Sequence, residues 1–135
     1  MRILKSYIRT ILVIISISIL SLMNVGKVVP NDIHFFKHID KLVHFCMYFG
    51  LSFVFLLENH AHKIHIKKRW IVLDTIAIGI IMEFLQLYLT STRNGNIYDA
   101  IFNFLGVCFG TGLFLILKNK PIVYKLFLIK VDYNK

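Results

Sequence analysis

This 135-residue sequence predicts an all-α membrane protein, a bundle of about four transmembrane helices with both termini on the cytoplasmic side. An apolar composition, four apolar runs of near-spanning length and an uneven placement of Lys and Arg carry the prediction. Hydrophobic residues make up 57% of the chain and charged residues 17%, against roughly 45–50% and ~25% in soluble domains. The length suits a single domain, 1–135, with no room for a second core.

The first apolar run extends from about Thr10 to Val25, behind a basic start containing Arg2, Lys5 and Arg9. A secretory signal peptide has the same outline, but Leu22-Met23-Asn24-Val25-Gly26 lacks a small-x-small cleavage pair. An uncleaved helix near 8–25 is therefore expected. The second helix spans about 40–57 and closes at Glu58-Asn59, short for a full crossing. The third, near 70–89, opens on the interfacial Trp70, and the fourth runs from about 99 to 117 and stops at Lys118. Residues 121–135 alternate apolar and basic positions and are expected to lie on the membrane surface.

Orientation follows from the cations. The N-terminus, the 58–69 loop and the tail hold twelve Lys and Arg; the 24–41 and 90–98 loops hold Lys27, Lys37, Lys41 and Arg93. Twelve against four places the two poorer loops outside the cytoplasm. The net charge of +9 is thereby explained by topology and anionic lipid, and no nucleic-acid partner is expected. Cys46 and Cys108 lie in apolar runs without metal-ligand spacing and read as small packing residues. His60, His62 and His65 sit in a basic loop with Glu58 beside them and read as solvated. Asp74, one turn inside the third helix, is within reach of Lys67 or Lys68 and reads as structural.

Under this topology the remaining polar residues converge on the outer leaflet. Asp40, Lys41, His44 and Tyr48 open the second helix, the last three on one face by their spacing of three and four. Glu83 and Gln86 occupy the outer half of the third helix, Glu83 thirteen residues beyond Trp70. That separation is roughly 20 Å of rise into a ~30 Å core. Arg93 lies in the outer turn, Asp99 and Asn103 open the fourth helix, and Gly106 and Gly110 continue its face. An ionised carboxylate at mid-membrane costs about 2.5–3.5 kcal/mol on the lenient insertion scale, so such groups are paired, hydrated or functional. Expected pairs are Glu83 or Asp99 with Lys41 or Arg93, and Gln86 with Asn103. Gly106 and Gly110 would bring a neighbouring helix close, within this chain or in a second copy, which leaves the oligomeric state open.

The elements Asp40-Lys41-Leu42-Val43-His44-Phe45 with Tyr48, Glu83-x-x-Gln86, Arg93, Asp99-x-x-x-Asn103 and Gly106-x-x-x-Gly110 resemble the VanZ family of small membrane proteins. The resemblance covers roughly residues 38–112. Thr90-Ser91-Thr92 stands where family members often carry Pro-Gly. The resemblance implies a multi-pass protein of a bacterial cytoplasmic membrane and, through the family's namesake, a link to resistance against the lipid-tailed glycopeptide teicoplanin.

Three functions compete. In the first, the outer cluster binds membrane lipid, a lipid-linked envelope intermediate or a lipoglycopeptide, with Lys41 and Arg93 meeting its anionic groups and Asp99, Asn103 and Gln86 its hydroxyls or amides. In the second, an intramembrane enzyme uses His44 as a base oriented by Asp40 and Glu83 as an acid, and Asp40, His44, Glu83 or Asp99 could hold a divalent ion. No Gly-x-Ser-x-Gly elbow or Cys-His nucleophile supports that chemistry, and no cofactor or metal site is assigned. In the third, the cluster only orients a structural or partner-binding subunit. Carriers are disfavoured by the lack of repeated, broken helices.

Overall fold

The computed structural model describes residues 2–22, 39–89, 97–127 and 129, in six helices: α1 (Arg2–Ser6), α2 (Ile8–Leu22), α3 (Ile39–Ala61), α4 (Lys68–Leu89), α5 (Ile97–Leu117) and α6 (Pro121–Leu126). Three of them, α3, α4 and α5, are long and apolar enough to cross a membrane, and α2 is a shorter apolar helix. The protein is thus a multi-pass membrane protein. Its surface agrees: Leu12, Ile15, Ile81, Phe84, Phe104, Phe109 and Ile116 are all about half exposed or more, a belt that would be an aggregation liability in water and is ordinary in lipid.

Three hydroxyls on these helices are satisfied locally. Ser16 and Ser18 donate to the carbonyls of Leu12 and Ile14 at 2.9 Å, and Thr75 to that of Ile71 at 2.8 Å. Folding each hydroxyl back onto its own helix removes a polar group from hydrocarbon.

The central element is α3, of whose span 56% is buried, against 28% for α4 and for α5. Its closest partner is α5, which runs parallel to it: Asn103 meets His44 near the start of both, and Phe114 meets His60 near their ends. Glycine permits this approach. A Cβ on Gly106 would collide with the Phe45 carbonyl oxygen and come within 2.9 Å of Phe49 N, and one on Gly110 would strike Ser52 Oγ and the Phe49 carbonyl oxygen. The expected close approach through Gly106 and Gly110 is therefore made inside the chain.

Where composition suggested that the second helix closes at 57, α3 continues through Glu58 and Asn59 to Ala61. Both polar residues are buried, Glu58 completely. The Glu58 carboxylate accepts hydrogen bonds from the Arg9 and Thr10 amides at 3.2 and 3.0 Å and from the Thr10 hydroxyl at 2.8 Å, and it pairs with the Arg9 guanidinium at 3.3 Å. These amides are the donors left over at the N-terminus of α2. Glu58 therefore caps a helix forty-eight residues away in sequence, and its charge suits the positive end of that helix. Alongside, Asn59 accepts from the Tyr7 hydroxyl at 2.9 Å and donates to the Ile66 carbonyl at 3.2 Å. Burial and the neighbouring Glu58 charge push the Tyr7 phenol up to about 12.

The chain leaves α3 through Lys63, which adopts a left-handed φ of 51°, while the Ile64 amide reaches back to the Asn59 carbonyl at 3.1 Å. That bond pattern closes a helix C-terminus and ordinarily employs Gly at the left-handed position. The part of the tail within the described residues does more than lie on a surface. Val123, Tyr124 and Ile129 are buried against Phe53, Leu57, Ile71 and Phe114, and the Tyr124 hydroxyl is shared between His60 Nδ1 at 2.6 Å and the Lys118 carbonyl at 2.5 Å. His60 is correspondingly engaged and not simply solvated. Cys46 and Cys108 are free and exposed on helix flanks, so they do not fill the interior. Asp74 is exposed on α4.

Candidate functional site

At the end of the bundle where α3 and α5 begin, three helices contribute polar side chains to one cluster. An acidic residue stands in the first turn of each of those two helices, Asp40 and Asp99, a placement that the helix dipole favours. His44 lies one turn below Asp40 and is 2% exposed; Asp99 and Asn103, one turn apart, are 8% and 4% exposed. Glu83 reaches in from α4.

The connections settle the roles of the hydrogens. Asn103 Nδ2 donates to Glu83 Oε1 at 2.9 Å, because a carboxylate oxygen only accepts. The amide oxygen of Asn103 is thereby turned to His44 Nδ1, 3.1 Å away, so Nδ1 carries a hydrogen. Glu83 Oε1 also stands 3.6 Å from Nδ1. The other ring nitrogen, Nε2, faces Asp40 Oδ1 at 4.0 Å, beyond hydrogen-bond reach. One donor atom each from Asp40, His44 and Asp99 lie within 4.8 Å of one another.

Tyr48, the next member of the His44 face, is 1% exposed and its hydroxyl has no hydrogen-bond partner among the described residues. Its ring lies against Gly79, where a Cβ would stand 3.2 Å from Cε1. It floors a crevice of about 30 Å³ between α4 and α5, walled by Thr75, Gly79 and Asn103 with Ile80 and Phe104 beside them. That volume accommodates about one water or the tip of a polar group. Ile80 and Phe104 are each about half exposed, so the crevice lies next to the lipid-facing surface.

Asp40, His44, Tyr48, Glu83, Asp99 and Asn103 thus come to one end of the bundle. Other expected contacts differ. Gln86 does not meet Asn103; its Nε2 donates to the Ser21 carbonyl of α2 at 3.0 Å. Glu83 is engaged by Asn103 and His44, and Lys41 places its ammonium over the Tyr98 ring, 5.2 Å from the centroid. His44 is hydrogen-bonded at Nδ1 by Asn103, with Asp40 Oδ1 4.0 Å from Nε2. Arg93 lies outside the described residues. At the opposite end, Lys63, His65, Lys67, Lys68 and Arg69 line an open groove of about 670 Å³, and these five side chains are exposed, as a solvated basic loop requires.

Glu58 is the residue that sequence reasoning missed. Its proximity to Arg9 and Thr10 had no signature, because half of its partners are backbone amides.

Among known families, the VanZ/LLP1 family model aligns with residues 4–118. No curated protein and no solved structure matches the chain.

Proposed function

Since the chain belongs to the VanZ/LLP1 family, we propose that it binds the polar headgroup of an envelope lipid or lipopeptide-type ligand at the Asp40–His44–Glu83–Asp99–Asn103 cluster. The observation that carries this reading is the Tyr48 hydroxyl, buried and without a hydrogen-bond partner among the described residues, at the floor of a crevice beside the lipid-facing surface. A buried hydroxyl without a partner costs about 1–3 kcal/mol, a cost that a ligand group or a water in the crevice would remove. Asp40, at 38% side-chain exposure, marks the open side of the cluster.

The distribution of Lys and Arg supports four crossings with both termini inside a bacterial cytoplasmic membrane, and with it a cluster at the extracytoplasmic leaflet. A ligand entering sideways from that leaflet would meet the crevice first. On this reading Lys41 and Arg93 supply positive charge to the anionic part of the ligand, and tolerance of lipid-tailed glycopeptides such as teicoplanin is the phenotype to examine.

Native mass spectrometry from mild detergent tests the proposal on the wild type, Tyr48→Phe, Arg93→Ala and Asp99→Ala. A discrete lipid mass that stays with the wild type and leaves the folded variants supports a ligand site. Equal lipid retention in all four, each verified as folded, overturns it and leaves a structural or partner-binding subunit as the better account.

A further inference from the structure

We propose that the basic groove at the far end of the bundle from the Asp40 cluster holds the phosphate headgroup of an anionic phospholipid of the phosphatidylglycerol kind. This second site lies at the other end of the molecule from the proposed ligand site and does not depend on it.

Glu58 is the one carboxylate between residues 58 and 69, a stretch that also holds Lys63, Lys67, Lys68 and Arg69. It is fully buried, and both of its oxygens are taken by Arg9 and Thr10 at the start of α2. The cap therefore withdraws the negative charge of this stretch and leaves its cations without an internal counterion. Lys63, His65, Lys67, Lys68 and Arg69 line one open groove of about 670 Å³, and no carboxylate stands in its walls. Among the described residues no ion pair involves Lys67, Lys68 or Arg69. The Lys68 ammonium and Arg69 guanidinium lie over the Phe114 and Trp70 rings, 5.7 and 5.8 Å from the centroids. Such contacts steady a cation without cancelling its charge.

Setting the orientation of the chain requires cations in this loop; it does not require that they share a concavity. Two details favour a bound anion. Lys63 adopts the left-handed φ of 51° that Gly ordinarily serves, so a strained backbone position holds a cation in the groove wall. The helix α4 also begins in the groove, at Lys68, with no acidic residue in its first turn, so its positive dipole end adds to the same potential.

The chemistry of the occupant follows from what adjoins the cations. Trp70 and Leu73 are 54% and 52% exposed, and Ile80 and Ile81 farther along α4 are about half exposed. A phospholipid would set its phosphate among the cations, meet the interfacial Trp70 and lay its chains along that apolar face. A free phosphate or an acidic protein segment would leave the face unused.

The test is native mass spectrometry of the full chain in mild detergent, with phosphatidylglycerol titrated beside zwitterionic phosphatidylcholine. Preferential retention of phosphatidylglycerol is expected. Lys67→Gln/Lys68→Gln should weaken it about thirtyfold, at roughly fivefold per cation near the surface. Lys63→Gly, at ease at that φ, should fold as the wild type does and weaken retention about fivefold. Lys120→Gln removes an exposed cation at the same end but outside the groove, and should change nothing. Equal retention of the two lipids, or equal losses in Lys67→Gln/Lys68→Gln and Lys120→Gln, overturns the proposal. Displacement of the lipid by an equal concentration of inorganic phosphate also overturns it, in favour of a free anion. Phosphatidylglycerol lost from Asp99→Ala and kept by Lys67→Gln/Lys68→Gln belongs to the other end; it would overturn this site while supporting the ligand site at Asp40.

Discussion

Asn103 and Glu83 are joined across the α4–α5 interface by a 2.9 Å hydrogen bond from Nδ2 to Oε1. Through it a carboxylate on one helix fixes which way an amide on the next must point, and the amide fixes the tautomer of His44 on a third. Asn103→Leu would leave His44 Nδ1–H and Glu83 without this shared partner. We expect a loss of about 2–4 kcal/mol, measured by reversible unfolding in mixed micelles.

The glycine seam gives a second prediction. Gly106→Ala and Gly110→Ala should each lower stability by about 1–3 kcal/mol, the range for overpacking, because the added methyl meets backbone atoms of Phe45 and Phe49. Gly112→Ala is the control, with nothing within 4 Å of its new Cβ. Melting temperatures of the three variants in one detergent should separate the first two from the third.

Glu58 offers a third. Glu58→Ala removes the acceptor for two amides, a hydroxyl and a guanidinium, and should cost about 3–5 kcal/mol, as for other broken buried pairs. Thr10→Val removes one of those bonds and should cost about 1 kcal/mol. Both values can be read from detergent unfolding curves, and a near-zero effect of Glu58→Ala would contradict the capping role.

Tyr7 supplies a pH dependence. Its phenol is pushed from 10.0 up to about 12 in the folded chain, first by burial and then by Glu58. Between those values the folded state holds a proton that the unfolded state has lost, so stability falls as pH rises. The contribution is complete below pH 10 and is lost by about 12. Tyr7→Phe should flatten that part of the stability curve.

Tyr48→Phe separates function from fold. Its hydroxyl has no partner among the described residues, so removing it should leave stability unchanged or slightly raised. Under the proposed function the same change lowers ligand retention. A drop in both would mean that the hydroxyl has a structural partner.

Much of the cluster was legible in the sequence. Asp40, His44 and Tyr48 recur every four residues, Asp99 and Asn103 likewise, and an antiparallel succession of helices brings the start of one to the start of the next but one. Side-chain direction was less legible. Glu83 and Gln86 are three apart, which leaves about 60° between them around a helix. That angle is enough for Gln86 to face Ser21 of α2 while Glu83 faces Asn103 of α5. Glu58 was hidden for a different reason. A carboxylate followed by Asn and a run of His and Lys looks solvated, and nothing in the side-chain pattern marks the free amides of Arg9 and Thr10 as its destination.

The cap also bears on how the chain is made. Ribosomes deliver α2 before α3, so the donors at Arg9 and Thr10 already exist when Glu58 leaves the exit tunnel. The newcomer docks onto an earlier arrival, and its charge is accepted on delivery. Assembly therefore has a preferred sequence written into its hydrogen bonds, and a chain truncated before Tyr7 to Thr10 would present the insertion machinery with a third helix whose far end has nothing to receive it.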